Sequence, residues 1–200
     1  MMVSMTSFVY TPLKTQMKKL ILSILLLALF SLACPAQSFS DLDKSPMDIA
    51  YFPHNFAHDR KEGQKAIIRV TYSRPARNER EVFGKLVPYG EVWRTGANEA
   101  TQIKVYQDVE LNGKRVKAGS YSLFTIPQEK QWTIILNADL DYWGAYSYKA
   151  NKDIVRVMAP VSNLTNQVEN FTIQFEAKGA NKGVMRFAWD QTMVEVPFTY

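Results

Sequence analysis

Hydrophobic and polar residues alternate with a period of two through most of the chain after residue 65. This pattern is typical of β-strands with one buried face, and the β-branched and aromatic residues that favour strands are frequent in it. The segments are "AIIRVTYS" (66–73), "TQIKVYQDVEL" (101–111), "SYSLFTI" (120–126), "WTIILNA" (132–138), "DIVRVMA" (153–159), "ENFTIQFEA" (169–177), "GVMRFAWD" (183–190) and "MVEVPFTY" (193–200).

Turn-forming residues separate these segments, and the clearest turn is Asn112-Gly113, the pair that favours a two-residue β-hairpin. No segment of the domain shows ten or more residues with the helical period of 3.6. Many short strands without helices are typical of sandwiches and barrels. We therefore predict an all-β fold over 66–200, a jelly-roll-like antiparallel β-sandwich of about eight to ten strands with little helix.

The front of the chain has the pattern of a signal peptide. Lys18 and Lys19 precede an apolar run over 20–33, and small residues follow it. This run is short for a helix that spans a membrane, so we expect 1–36 to be removed during export. We interpret Met17 as the true start and 1–16 as an over-called extension, and we expect 37–65 to be an irregular lead-in to the sandwich.

Two routes of export remain open. Cleavage after Ala36 follows a small-x-small pattern and leaves Gln37 as the first residue. Alternatively, "SLAC" partly resembles a bacterial lipobox, which makes Cys34 a candidate for lipidation, although Ser31 and Pro35 depart from the usual motif. Both routes predict a periplasmic, cell-surface or secreted protein that meets the membrane only through its signal peptide or a lipid anchor.

Charge and cysteine content narrow the function classes. The chain has 24 basic and 19 acidic side chains, and 1–36 contains three lysines and no acidic residue, which leaves 21 basic against 19 acidic after processing, a net charge of +2. This small excess gives no reason to expect a nucleic-acid partner. Cys34 is the only cysteine, so the processed domain has no disulfide and no thiol nucleophile.

Three separated stretches carry a family resemblance: "VTYSRPARNEREVFGKLVPYGEVWRTGANEAT", "LNGKRVKAGSYSLFTIPQEKQWTIILNAD" and "WGAYSY". Together with the lead-in "SPMDIAYFP" they resemble the bacterial family known as domain of unknown function 2911, common in Bacteroidetes, over about residues 45–200. The resemblance implies a secreted all-β domain of undefined activity. It transfers no catalytic residues to this chain.

The stretch "VPYGEVWRTGANEAT" is the leading candidate for a site. Arg94 has a fork of donors suited to a carboxylate or another anion, while Asn98 and Glu99 complete a polar pocket floored by Trp93. Alternatively, the stretch is a structural corner in which Arg94 and Glu99 pair with each other. A third hypothesis is a hydrolase in which Glu99 is the general acid or base and Arg94 stabilises negative charge.

Two other segments extend this candidate site. The loop "SRPARNER" places Arg74 and Arg77 where they either are solvated or add to an anion-binding rim. The segment 139–153 concentrates aromatic residues, and Trp143 is the candidate for stacking on a sugar ring, with capping of the core as the alternative. The aromatic residues of this segment are Tyr142, Trp143, Tyr146 and Tyr148.

His54 and His58 have the i, i+4 spacing of a metal pair, but no third ligand is evident and Pro53 argues for a loop, so we predict no metal site. Nucleotide-binding and serine-hydrolase motifs are absent, and we predict no cofactor.

We therefore expect an exported module that binds a small molecule or a glycan through Trp93, Arg94, Asn98 and Glu99, with Arg74 and Trp143 as further candidates. The alternatives are the hydrolase and an envelope structural or interaction protein with a large exposed apolar patch.

Overall fold

The computed structural model describes residues 12–31 and 38–200, and it divides the chain into two units between Asp41 and Leu42. The first unit contains helix α1 (Leu13–Ser31), which covers most of the apolar run of the predicted signal peptide. No helix within the described ranges is long and apolar enough to cross a membrane. Cys34, Ala36 and Gln37, on which the two export routes depend, lie outside the described residues.

The second unit is built from nine strands within the described residues, which confirms the all-β prediction. Every neighbouring pair is antiparallel, and the strand order is β1-β2-β3-β6-β7-β8-β9-β4-β5. Two short helical turns interrupt the strands, α2 (Phe56–Asp59) and a 3₁₀ turn (Ala150–Lys152). The strands are β1 (Met47–Phe52), β2 (Ile68–Ser73), β3 (Gln102–Val105), β4 (Val109–Leu111), β5 (Lys114–Val116), β6 (Gly119–Ile126), β7 (Gln131–Asn137), β8 (Asp153–Ala177) and β9 (Lys182–Thr199).

The expectation of an irregular lead-in over 37–65 needs correction, because this segment contains β1. Strand β1 pairs with β2 over six residues, from Met47 opposite Ser73 to Phe52 opposite Ile68. Phe52 is the only one of its residues that is fully buried. A strand at the edge of a sheet buries so few side chains that its sequence lacks a clear alternation.

The long strand β8 folds the sheet on itself. Residues 153–160 of β8 pair with β7, while residues 161–177 pair with β9. The two halves of the sheet enclose the main core, as the contact between Phe52 of β1 and Phe198 of β9 shows, with ring centroids 4.9 Å apart. One continuous sheet therefore packs against itself as the layers of a sandwich do.

A second, smaller core lies on the other face of the first half of the sheet. Phe124 of β6 and Ile135 of β7 are fully buried there, although both point away from the main core. Tyr142 and Ala100 cover them, with Val92 packed beside them. Burying Phe124 and Ile135 contributes about 1.5–3 kcal/mol each. This burial holds two loops, residues 87–101 and 138–149, against the same face of the sheet.

The predicted hairpin at Asn112-Gly113 joins β4 to β5. Leu111 and Lys114 are paired directly across the turn. Asn112 and Gly113 both have positive φ, 44° and 78°, as a type I′ turn requires. The Asn112 side chain also donates a hydrogen bond to the Met158 carbonyl, 2.9 Å away, so the turn is anchored to β8.

Candidate functional site

The loop that carries the candidate residues begins at Trp93, which is tied to β6. The Trp93 and Thr125 backbones exchange two hydrogen bonds, of 2.7 and 2.9 Å. The Trp93 ring lies in the main core, 5.0 Å from the Phe171 ring and stacked on Trp189, and its Nε1 donates to the Gly96 carbonyl. Trp93 therefore offers a ligand little surface as the predicted floor of a pocket, because only 8% of the residue is exposed.

The backbone after Arg94 is strained and tightly held. Thr95 has φ 59° and Asn98 has φ 57°, and positive φ is a genuine outlier for a β-branched residue such as threonine. Thr95 is fully buried, and its Oγ1 lies 3.1 Å from the Thr125 Oγ1, while its carbonyl accepts a 2.6 Å hydrogen bond from Thr101. Strain of this kind costs about 1–3 kcal/mol and persists only where the surroundings enforce it.

Gly96 is required at its position because the chain passes so close to β2. A Cβ atom at Gly96 would lie 2.9 Å from the Ser73 carbonyl oxygen. The φ of Gly96, 156°, is also one that residues with side chains rarely adopt. The loop is thus locked between β2 and β6, and the side chains it presents are held on a rigid backbone.

Arg94 is the exceptional side chain of this loop. Its Nε atom is buried and has no hydrogen-bond partner, the only such buried side-chain nitrogen or oxygen within the part of the chain that the structure describes. The Trp93 ring points into the main core, while Val92 packs on the second core, so alternation places Arg94 on the side of Val92. An unsatisfied buried donor costs about 1–3 kcal/mol, which makes this one a group that needs an explanation.

The structure brings Asn98 and Glu99 together with Trp143, which is distant in the sequence. Glu99 and Trp143 form an antiparallel bridge, supported by hydrogen bonds from Ala100 N to Tyr142 O and from Gly144 N to Asn98 O, both 2.9 Å. Trp143 is 62% exposed. The polar loop and the aromatic segment therefore form one surface, with Trp143 beside Glu99.

The four aromatic residues of the segment 139–153 divide into two pairs. Tyr142 and Tyr148 pack inward on Phe124, whereas Trp143 and Tyr146 are exposed. The Tyr146 ring covers Gly144 so closely that a Cβ atom there would lie 2.7 Å from it. Tyr146 is a second exposed ring beside Trp143, and the aromatic run was the only sequence signal for it.

Hydrogen bonds to carboxylates hold the two inward tyrosines. Burial and the 2.7 Å hydrogen bond to Asp139 raise the pKa of Tyr142 to about 12. Burial and the 2.6 Å hydrogen bond to Asp153 likewise raise the pKa of Tyr148 to about 12. The same hydrogen bond from Tyr142, with help from Lys149, lowers the pKa of Asp139. The loop that presents Trp143 is therefore braced at both ends.

The Arg94–Glu99 ion pair of the structural-corner alternative is not present. Glu99 is exposed, and its carboxylate makes no hydrogen bond or ion pair with any residue in the described ranges. Arg94 likewise has no ion pair with a described residue. Neither charged group is therefore neutralised by the other.

Arg74 and Arg77 are engaged in the fold. Arg74 donates hydrogen bonds to the Asp48 carboxylate, the Phe171 carbonyl and the Thr172 hydroxyl, at 2.9, 3.1 and 2.9 Å. Arg77 pairs with Asp190 at 3.4 Å. These bonds connect the loop after β2 to β8 and β9, so Arg74 serves to join the two halves of the sandwich.

A separate cavity of about 380 Å³ lies beside Arg74, between β1 and β8. Its lining includes Tyr72, His54 and His58. His58 Nδ1 lies 2.7 Å from the Asp59 carboxylate. Within the described ranges, no group of three or more His, Cys, Asp or Glu residues is placed to hold a metal ion.

The family model described as "Protein of unknown function (DUF2911)" matches residues 53–198. This match covers well over half of the chain and confirms the resemblance, so the chain belongs to the DUF2911 family. No curated protein and no solved structure matches this chain.

Proposed function

We propose that this member of the DUF2911 family is a binding module whose ligand is a glycan that carries a carboxylate. Its binding surface is formed by Arg94, Asn98, Glu99 and Trp143, the Arg94 surface hereafter. The observation that carries the proposal is the buried Arg94 Nε without a partner, which stands on a strained and rigid backbone. Strained residues cluster at ligand sites, and a buried polar group left unsatisfied in a native structure calls for a functional explanation of this kind.

The chemistry of the surface indicates the ligand class. A planar guanidinium matches a carboxylate through two parallel hydrogen bonds. The exposed Trp143 ring offers an apolar face on which a sugar ring stacks, with Tyr146 beside it. Asn98 and Glu99 supply donors and acceptors for hydroxyl groups. A uronic acid unit combines the carboxylate, the ring face and the hydroxyls that these side chains fit.

Binding is favoured over hydrolysis because of the state of the acidic residues. A glycosidase needs two carboxyl groups across the scissile bond, one of them an acid with a raised pKa. Asp139 is bound to Tyr142 and Lys149 and its pKa is lowered, while Asp141 accepts a hydrogen bond from Gln102. The lowered pKa makes Asp139 a poor proton donor to act opposite Glu99.

Calorimetric titration with cellobiouronic acid and cellobiose tests the proposal, since the two disaccharides differ by one carboxylate. We expect the acidic sugar to bind more tightly, and Arg94→Met to weaken its binding roughly tenfold to a hundredfold, because a hydrogen bond to a charged group is lost. Trp143→Ala removes the stacking face and should also weaken it. Arg115→Met, an exposed arginine on β5, is the matched control and should bind as the wild type does. Equal binding of both sugars, or no effect of Arg94→Met, would contradict the proposal.

We also propose that the domain acts outside the cytoplasm, in the periplasm, at the cell surface or as a secreted protein. The support is the charged, apolar and small-residue pattern of 1–36, of which α1 covers most of the apolar part. Intact-mass measurement on protein from its native host should find a chain that begins at Gln37 or at an acylated Cys34. A chain that retains Met17 would contradict both routes.

A further inference from the structure

A second cavity, of about 500 Å³, lies between the segment 56–66 and the face of β1–β3 that points away from the main core. Its lining contains three basic side chains, Arg60, Lys65 and Lys104, and no acidic one. The aromatic rings of Tyr51, Phe56 and Tyr106 complete its walls. This cavity is separate from the Arg94 surface, with which it shares no residue.

The register of the sheet concentrates positive charge at this cavity. Arg69 on β2 is directly opposite Lys104 on β3, so the two side chains lie on the same face of neighbouring strands. Like charges in this position destabilise a sheet. Arg60, Lys65, Arg69 and Lys104 make no ion pair with any residue in the part of the chain that the structure describes. No carboxylate of the described residues is therefore in direct contact with these four basic side chains.

The basic side chains stand on a fixed frame. Tyr106 N donates a 2.9 Å hydrogen bond to the Ile67 carbonyl, which joins the end of β3 to the segment after Lys65. The loop that carries Arg60 and Lys65 is closed by Gln64, whose side chain accepts from the Lys61 N–H at 3.1 Å. The Lys104 ammonium lies over the Tyr106 ring, 4.9 Å from its centroid. The backbone around the cavity and the Lys104 ammonium are thus held before a ligand arrives, which reduces the ordering cost of binding.

We propose that this cavity binds a tetrahedral oxyanion, a phosphate or a sulfate, through Arg60, Lys65 and Lys104. The guanidinium fork of Arg60 and the compact ammonium groups of the two lysines are the groups that proteins use for such anions. Arg69, directly opposite Lys104 in the sheet, adds positive charge on the same face. The rings of Tyr51 and Phe56, whose centroids are 6.1 Å apart, provide a surface for the molecule that carries the oxyanion as an ester.

Titration of the full-length protein by nuclear magnetic resonance tests this site with four probes: inorganic phosphate, glucose 6-phosphate, glucose 6-sulfate and glucose. We expect the backbone amide signals of Ala66 and Tyr106 to shift in a saturable way with the three anions and to stay unchanged with glucose. Higher affinity for the two esters than for inorganic phosphate would identify a sugar ester as the natural source of the oxyanion. Higher affinity for inorganic phosphate than for the esters would identify free phosphate. Affinity should fall as sodium chloride rises, because the contacts are ionic.

Lys104→Gln should weaken binding about tenfold, since it removes a charged hydrogen bond. Lys130→Gln is the matched control, because Lys130 is also exposed but lies in the turn after β6. Ser120, the residue opposite Lys104, is separated from the Ile126 end of that strand by roughly 20 Å. The control should bind the anions as the wild type does. Absence of a saturable shift with any anion, or equal weakening by Lys104→Gln and Lys130→Gln, would overturn the proposal.

Discussion

Replacing Arg94 by methionine should raise the stability of the protein, which is unusual for a substitution at a partly buried position. Methionine keeps the length of the arginine stem and its apolar contacts, while the unpartnered Nε is removed. An unsatisfied buried donor costs about 1–3 kcal/mol. Since Arg94 is only partly buried, the lower end applies, and we expect a gain of about 1 kcal/mol in the free energy of unfolding. For a domain of this size the gain corresponds to a rise of about 2–4 °C in Tm.

The same substitution at Arg74 is the matched control. The Arg74 side chain has three hydrogen-bond partners: the Asp48 carboxylate, the Phe171 backbone carbonyl and the Thr172 hydroxyl. The ion pair with Asp48 is about a third exposed on the arginine side, so it contributes little by itself. The lost hydrogen bonds contribute about 1 kcal/mol each. We therefore expect Arg74→Met to lower the free energy of unfolding by about 2–3 kcal/mol.

Urea unfolding, followed by far-ultraviolet circular dichroism on the purified wild type and both variants, measures these changes. Opposite signs for the two substitutions would show that Arg94 is held at a cost to stability, as expected for a residue kept for binding. A loss of more than about 1 kcal/mol with Arg94→Met would refute the reasoning, because it would mean that the guanidinium stabilises the fold.

Three further changes test the fold around the site. Tyr72→Phe should cost roughly 2–4 kcal/mol in urea unfolding, because the buried Tyr72 hydroxyl accepts from the Ile173 N–H at 3.1 Å and donates to its carbonyl at 3.2 Å, and both backbone groups lose their partner. Gly113→Val should cost about 1–3 kcal/mol in thermal melts although its side chain has open space, because its φ of 78° is strained for valine, and an unchanged Tm would contradict the turn type. The raised pKa values of Tyr142 and Tyr148, each about 12, predict stability that is fully present below pH 10 and lost as pH rises toward 12. Replacing both by phenylalanine should flatten the dependence of Tm on pH in that range, and a slope equal to that of the wild type would contradict the assignment.

Local pattern was sufficient for most of the fold. Alternation identified the strands of the main core because a half-buried strand must place apolar residues on every second position. The Asn112-Gly113 turn followed from local backbone preference alone, since asparagine and glycine tolerate positive φ. The prediction divided β8 and β9 into two strands each, because the polar residues between their apolar parts broke the alternation, while the strands themselves continue through shifts of register.

Strand β1 and the second core show where local pattern fails. Strand β1 is an edge strand with one fully buried residue, so its six residues lack the alternation that marks the inner strands. Phe124 and Ile135 read as ordinary members of apolar strands, and only the packed loops show that they face a second core. Burial on both faces of a strand depends on what covers the outer face, and the strand's own sequence does not encode that cover.

The sequence by itself determined the fold class, the hairpin and the presence of Arg94, Asn98 and Glu99 in one loop, because these depend on short-range pattern and backbone preference. Only the tertiary structure decided which side chains of that loop are available. It placed Trp93 in the core, left the Arg94 Nε without a partner and brought Glu99 beside Trp143. Side-chain direction and long-range pairing follow from how the loops cover the outer face of the sheet, an arrangement set by contacts between residues far apart in the chain.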